Sequence, residues 1–203
     1  MNMTGGADHP AQGVGALSRQ AMIDGAIEIL AADPSASLSE VARRLGVGRT
    51  SLYRHFSDRA SLLGRVETEG ARRIIAAHVA ADLTAGTGLS ALERLCEHLF
   101  ELGPVLSLLF ADNPLITDEA LADPTVAIAA GASDEPAEPV PHTVRRGQAD
   151  GSIDPGLDPA WVELFLWTTL SAGHLYATQV NSRRSGLERV LQALRRTLRP
   201  PAA

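Results

Sequence analysis

Apolar positions recur at helical spacing along most of the chain. Between Arg19 and Ala32, the residues Ile23, Ala26, Ile27 and Leu30 fall at i, i+3, i+4 and i+7, the stripe of an amphipathic helix. Asp33-Pro34 stops it, because Pro34 disfavours helical geometry at Asp33. Ser37-Leu38-Ser39-Glu40 reads as a capping box, in which the Ser37 hydroxyl and the Glu40 carboxylate satisfy each other's backbone donors. The second helix predicted from it reaches about Leu45, with Leu38, Val41, Ala42 and Leu45 inward. Gly46 ends that helix in a left-handed turn, Val47 plugs the turn, and a third helix begins near Arg49. Helix, short glycine turn, helix is the helix-turn-helix pattern. At about 100° per residue, the third helix turns Leu52 and Phe56 towards the first two helices. Thr50, Ser51 and Arg54 fall opposite, with Arg49, Tyr53 and His55 on the flanks.

The remaining pattern is also helical. A fourth helix starts at Ser57 or Asp58 and runs past Ile74-Ile75 towards Leu83, a length that suits a strut between two domains. Ala85-Gly86-Thr87-Gly88 breaks it. Leu89 to Leu102 follows with Leu92, Leu95, Leu99 and Leu102 on one stripe, then Gly103-Pro104 and a short helix from Val105 to Ala111, ended by Asn113-Pro114. Thr117 to Ala130 is predicted helical with an interruption at Pro124. Gly131 to Pro141 is Pro-rich and acidic and is expected to be a mobile loop, leaving His142 to Ala149 as a short helix. Asp158-Pro159 opens a helix to about Val180 that is apolar nearly all round, which requires two packing partners. The final helix spans about Gly186 to Leu198, with Arg189, Arg195 and Arg196 outward. Small residues Thr168, Ser171 and Ala172 permit close approach. An isologous dimer through the last two helices is expected, with Trp161, Phe165, Thr168, Ala172, Leu187, Leu191 and Leu194 at the interface. The competing reading is that both helices complete a monomeric core.

Composition agrees with an all-α fold: 32 Ala and 27 Leu stand against 12 Val and 8 Ile. Met1 to Ala16 lacks a basic start and an apolar stretch, so it is expected to be a flexible tail rather than a signal peptide. The uncharged stretch from Leu164 to Ser182 is interrupted by polar residues, and a buried helix fits it better than a membrane span. Cys96 is the only cysteine, which excludes an internal disulfide and points to the cytoplasm. The expected organisation is a tail over 1–16, a helix-turn-helix domain over 17–64, and a second helical domain over 65–203 that carries the expected dimer contact.

Charge sharpens the picture locally. The chain carries a net charge of −6, and all 18 cations are arginine. Arg43 to Arg59 nonetheless holds five arginines and a single acid, Asp58, so a cationic patch coincides with the helix-turn-helix. Arg54 can bond bidentately to guanine, Thr50 and Ser51 can meet thymine methyls or base edges, and Tyr53 and His55 can reach phosphates. No phosphate loop, dinucleotide fingerprint, zinc-protease or nucleophile-elbow motif occurs. Glu93, Glu97, His98 and Glu101 share one helix, but no Glu-x-x-His pair exists to build a carboxylate-bridged metal site, and an exposed acidic stripe fits better. No cofactor, metal or catalytic residue is expected. A protein-interaction adapter and, more remotely, an all-α enzyme are the alternatives to a DNA-binding regulator.

Ser37-Leu38-Ser39-Glu40-Val41-Ala42, Leu45-Gly46-Val47, Leu52-Tyr53-Arg54-His55-Phe56, Arg59 and Leu62-Leu63 together resemble the tetracycline-repressor (TetR) family of bacterial transcriptional regulators. The similarity spans about Arg19 to Leu63. It implies that Ser37, Ser39, Arg49, Thr50, Ser51, Tyr53, Arg54 and His55 meet DNA, and that Arg59 touches phosphate. Gly48 departs from the family's usual Ser-like cap, and Asp33-Pro34 from its usual Gly-aromatic pair. The resemblance also implies a homodimer that represses by occupying a palindromic double-stranded operator. A small-molecule effector in the second domain would then shift the fourth helix and change the spacing of the heads. Candidate pocket residues on the middle helices are Cys96, His98, Leu99, Phe100, Phe110, Trp167, His174 and Tyr176, and their character suits an apolar or aromatic ligand.

Overall fold

The computed structural model describes residues 17–132 and 139–201. The expected tail over 1–16 and the centre of the expected loop, 133–138, lie outside the described residues. Eleven helices and no strand occur among the described residues. The first three, α1 (Arg19–Ala32), α2 (Leu38–Arg44) and α3 (Arg49–His55), form a compact head. Ser18 caps α1 by accepting from the Ala21 amide at 3.1 Å, and Ser37 caps α2 by accepting from the Glu40 amide at 3.2 Å. The capping box is half made. The Glu40 carboxylate turns outward to accept from Arg43 Nε at 2.8 Å, and that bond holds its pKa below the usual carboxylate range.

The turn after α2 follows its sequence chemistry. Gly46 sits at φ +69°, and the Val47 amide donates to the Ala42 carbonyl at 3.0 Å, closing the helix end. Leu45 then folds back onto α1, where a Cβ on Gly25 would lie 2.3 Å from Leu45 Cδ2. Phe56 and Leu52 are fully buried beneath α1 and α2. Burial of two such side chains supplies roughly 3–6 kcal/mol before conformational entropy is counted.

The strut α4 (Arg59–Ala81) is capped by Asp58, which accepts from the Ser61 amide at 2.7 Å. Its 23 residues span about 34 Å. The body comprises α5 (Gly88–Phe100), α6 (Gly103–Leu109), α7 (Asp118–Leu121), α8 (Pro124–Ala129), α9 (Val140–Asp150), α10 (Pro159–Gln179) and α11 (Arg183–Leu198). The segment predicted as one interrupted helix from Thr117 to Ala130 is thus two short helices. Pro124 opens the second, and Asp123 caps it through the Thr125 amide at 2.8 Å.

Glycines set two close helix contacts in the body. A Cβ on Gly88 would lie 2.3 Å from Gly147 Cα, so α5 and α9 meet backbone to backbone. A Cβ on Gly173 would lie 2.2 Å from Val190 Cγ2, and one on Gly186 would lie 2.6 Å from the Gly173 carbonyl. Close approach of α10 and α11 therefore runs through Gly173 and Gly186. The small residues singled out from the sequence, Thr168, Ser171 and Ala172, are exposed or only half-buried.

Candidate nucleic-acid interface and effector cleft

The reading face is built on α2 and α3. Arg49, Thr50, Tyr53 and Arg54 are exposed on α3, Tyr53 at 47%, while Ser51 and His55 are half-buried. Gly48 starts the helix without a side-chain cap bond. The far end of α3 is held by α1: Arg19 lies over the Phe56 ring at 5.6 Å and donates to the His55 carbonyl at 3.4 Å. Ser37 is exposed and Ser39 half-buried at the start of α2. The Ser37 hydroxyl accepts the helix cap bond and retains its own proton to donate. These side chains form one surface of hydroxyl, phenol and guanidinium groups over an apolar base.

Arg59 opens α4 beside this face. It is half-buried, and its guanidinium donates to the Ala36 carbonyl at 3.0 Å and the Pro34 carbonyl at 2.6 Å. It fastens the start of α4 to the loop between α1 and α2. No local pattern in the sequence announces this bond, since its acceptors are backbone atoms 23 and 25 residues away.

A second link between head and strut also lay beyond sequence reasoning. Glu69 on α4 is 8% exposed and accepts from Arg72 Nη2 and Arg73 Nε, each at 2.8 Å. Arg73 also bonds Asp24 of α1. Burial alone would raise the Glu69 pKa, but the hydrogen bonds and charges of Arg72 and Arg73 outweigh it and hold the carboxyl below its ordinary value. One residue further, Gly70 makes room for Ile116, whose Cδ1 lies 2.5 Å from where a Cβ would stand.

The eight pocket candidates do not share one cavity. Cys96 and Leu99 are fully buried core residues, and burial, with Glu93 and Glu97 nearby, pushes the Cys96 thiol up to about 12. Tyr176 lies on the outer surface beside Arg195 and Arg196. His98 and Trp167 are half-buried and do not line the cleft between α1, α6 and α10, and Phe110 lies beside it against the His174 ring at 6.5 Å between centroids. That cleft, of 410 Å³, is lined by Phe100 and His174 of the eight, together with Glu28 and Ala32 of α1, Ser107 of α6 and Arg183 of α11. His174 Nε2 lies 2.9 Å from the Ser107 hydroxyl oxygen, and burial lowers its pKa. Periodicity had placed these residues inward; it carried no information on where space remains between helices.

On the outer face of α10, Trp161 is 46% exposed and stacks on Phe165 at 5.3 Å, and Thr168 and Ala172 are exposed along the same helix. Leu164 at 66% and Leu175 at 59% are also exposed. Leu187 and Leu191 are half-buried, whereas Leu194 is fully buried in the chain's own core and lies beneath that face. Glu93 and Glu101 are engaged by Arg195 at 2.8 Å and Arg183 at 3.1 Å. Among the described residues, no helix is long and apolar enough to cross a membrane.

A three-helix head that exposes the polar side of its third helix has the form of a helix-turn-helix DNA-binding head. Residues 23–66 match the family model of bacterial regulatory proteins, tetR family. The HTH-type transcriptional repressor LfrR of Mycolicibacterium smegmatis is 27% identical over 177 residues, covering 87% of this chain and 88% of that protein. The crystal structure of the TetR-like transcriptional regulator LfrR from Mycobacterium smegmatis in complex with proflavine aligns at TM-score 0.63 and 27% identity, over 87% of this chain and 93% of that one. The TetR family transcriptional regulator PfmR from Thermus thermophilus shares the fold at TM-score 0.62 and 18% identity, over 92% of this chain and 98% of that one. The chain thus matches the tetR family of bacterial regulatory proteins over residues 23–66 and resembles the repressor LfrR over most of its length. These relatives are transcriptional regulators rather than enzymes.

Proposed function

We propose that this regulator acts as a cytoplasmic homodimer that represses transcription from a two-fold symmetric operator and is released by a small molecule. Residues 17–64 serve as the DNA-binding domain and 65–203 as the ligand-binding and dimerisation domain, with α4 crossing between them. The observation that carries the reading is the two-sidedness of α3: Leu52 and Phe56 are fully buried while Thr50, Tyr53 and Arg54 stand exposed. Arg54, Thr50 and Ser51 read base edges, and Arg49, Tyr53, His55 and the α2 serines Ser37 and Ser39 reach phosphates. Arg59 acts through the loop it fastens, not through DNA.

One short helix reads too few base pairs for a unique address, so the head needs a partner. The exposed apolar side of α10, with Trp161, Leu164, Phe165 and Ala172, supports pairing of two chains through α10 and α11. Two heads related by that axis meet half-sites about 34–36 Å apart, or a multiple of that. LfrR's complex with proflavine supports a small-molecule effector for this chain as well. Release requires that the effector bind one head spacing more tightly than the other.

The test is selection of bound genomic fragments by the purified chain, followed by sequencing. A two-fold symmetric consensus is expected, with binding that weakens steeply as salt rises. Arg54→Ala should cost about 1–3 kcal/mol and relax preference at one position per half-site. Salt-insensitive binding, or the absence of any symmetric consensus, would refute the reading.

A further inference from the structure

The 410 Å³ cleft at the junction of head and body joins residues from opposite ends of the chain: Glu28 and Ala32 on α1, Phe100 at the end of α5, His174 on α10 and Arg183 at the start of α11. Its floor is apolar. The Phe100 ring packs against the α10–α11 crossing, its nearest atoms 3.4 Å from where a Cβ on Gly173 would stand and 3.1 Å from one on Gly186. Beside it, the His174 ring is bonded to Ser107 and, with its pKa lowered by burial, is neutral at pH 7. The charged groups on the rim are unequal. Arg183 is already answered by Glu101 at 3.1 Å, whereas Glu28 has no hydrogen bond or ion pair among the described residues. An uncompensated carboxylate thus overlooks an apolar floor beside a neutral aromatic ring.

We infer that this cleft is a binding site for a small aromatic ammonium ion, its ring on the floor beside His174 and its nitrogen against Glu28. Neither the reading face nor the outer face of α10 contributes to it. An occupant touches the head through α1 and the body through α5, α6 and the α10–α11 corner at once, so it fixes one against the other. Binding itself does not depend on the proposed DNA function; the effect of binding on operator affinity does.

The probe is 2-naphthylmethylammonium, titrated into the purified full chain and followed by naphthyl fluorescence anisotropy, with 2-naphthylmethanol as its uncharged twin. Saturable binding is expected, about fivefold tighter for the ammonium, as suits one exposed carboxylate. Glu28→Gln should remove that preference and leave the alcohol unchanged. Ala32→Trp, at the exposed end of α1, should weaken both probes at least tenfold without moving the melting temperature. Absence of saturable binding, or ammonium binding that survives both substitutions, would overturn the site. On a selected operator fragment, the ammonium should change affinity severalfold in the unaltered chain and not in Ala32→Trp. Intact probe binding with unchanged operator affinity would overturn the coupling and keep the site. Should no fragment bind, the DNA reading fails while the titration still decides the site.

Discussion

At its N-terminal end α4 is held by Arg59, which reaches back to the carbonyls of Pro34 and Ala36 in the head. At its C-terminal end it is held by Arg94 of α5, which donates to the carbonyls of Ala81 at 2.9 Å and of Asp82 and Ala85 at 2.7 Å. Arg146 of α9 adds the carbonyls of Leu83 and Gly86. Guanidinium on backbone carbonyl is the chemistry at both ends, and it satisfies acceptors that a helix end or loop leaves open. The difference is in ownership. One end belongs to the head through a single side chain; the other is rooted in the body through two. The C-terminal end of the strut thus has more guanidinium–carbonyl bonds to the body than its N-terminal end has to the head, where the Arg73–Asp24 pair adds to Arg59.

Four substitutions separate these fastenings, from the strongest expected effect down. Arg94→Ala leaves three carbonyls without their donor and should lower stability by about 2–3 kcal/mol in urea unfolding. An effect under half of the lower figure would mean that Arg146 alone roots the strut. Glu69→Gln should cost about 2 kcal/mol at neutral pH by leaving Arg72 without its hydrogen-bonded counterion and Arg73 with Asp24 alone. Because the folded Glu69 pKa lies below its unfolded value, its contribution is present above the ordinary carboxylate range and lost as pH falls through the folded value. The gap between the two proteins should accordingly close on acidification, and a gap constant with pH would show that Glu69 acts by shape alone.

Arg59→Ala should cost about 1–2 kcal/mol of stability and leave the salt dependence of operator binding unchanged. A fall of about one in that slope would instead make Arg59 a phosphate contact. Gly70→Ala is the mildest case. The added Cβ meets Ile116 Cδ1 at 2.5 Å and Cγ1 at 2.9 Å, so the buried Ile116 side chain must shift and about 1 kcal/mol is expected, visible as a small shift in melting temperature.

The head was legible in the sequence because local chemistry dictates it. Ser37 has to cap, Gly46 has to turn left-handed, and Leu52 with Phe56 has to face inward once α3 is a helix. The strut's fastenings were not legible, since Arg59, Arg94 and Arg146 bond backbone carbonyls that carry no residue identity. The half-made capping box shows the limit of local rules: Arg43, three residues on from Glu40, competes for the same carboxylate with a full charge. The cleft was out of reach for another reason. Its walls come from α1 and α10, and whether two inward stripes meet or leave a gap depends on packing between segments about 150 residues apart in sequence. The apolar character of α10, on which the proposed dimer face rests, was legible, but not which leucines of α11 the chain's own core takes up: Leu194 is fully buried there.

The burial of Cys96 has a practical corollary. With its side chain fully buried and its thiol far from ionising at neutral pH, the folded chain is blank to maleimides and spin labels. A single cysteine placed on the head would be tagged alone, so in the proposed dimer the separation of the two heads could be followed as a ruler measurement in solution without first removing any native residue.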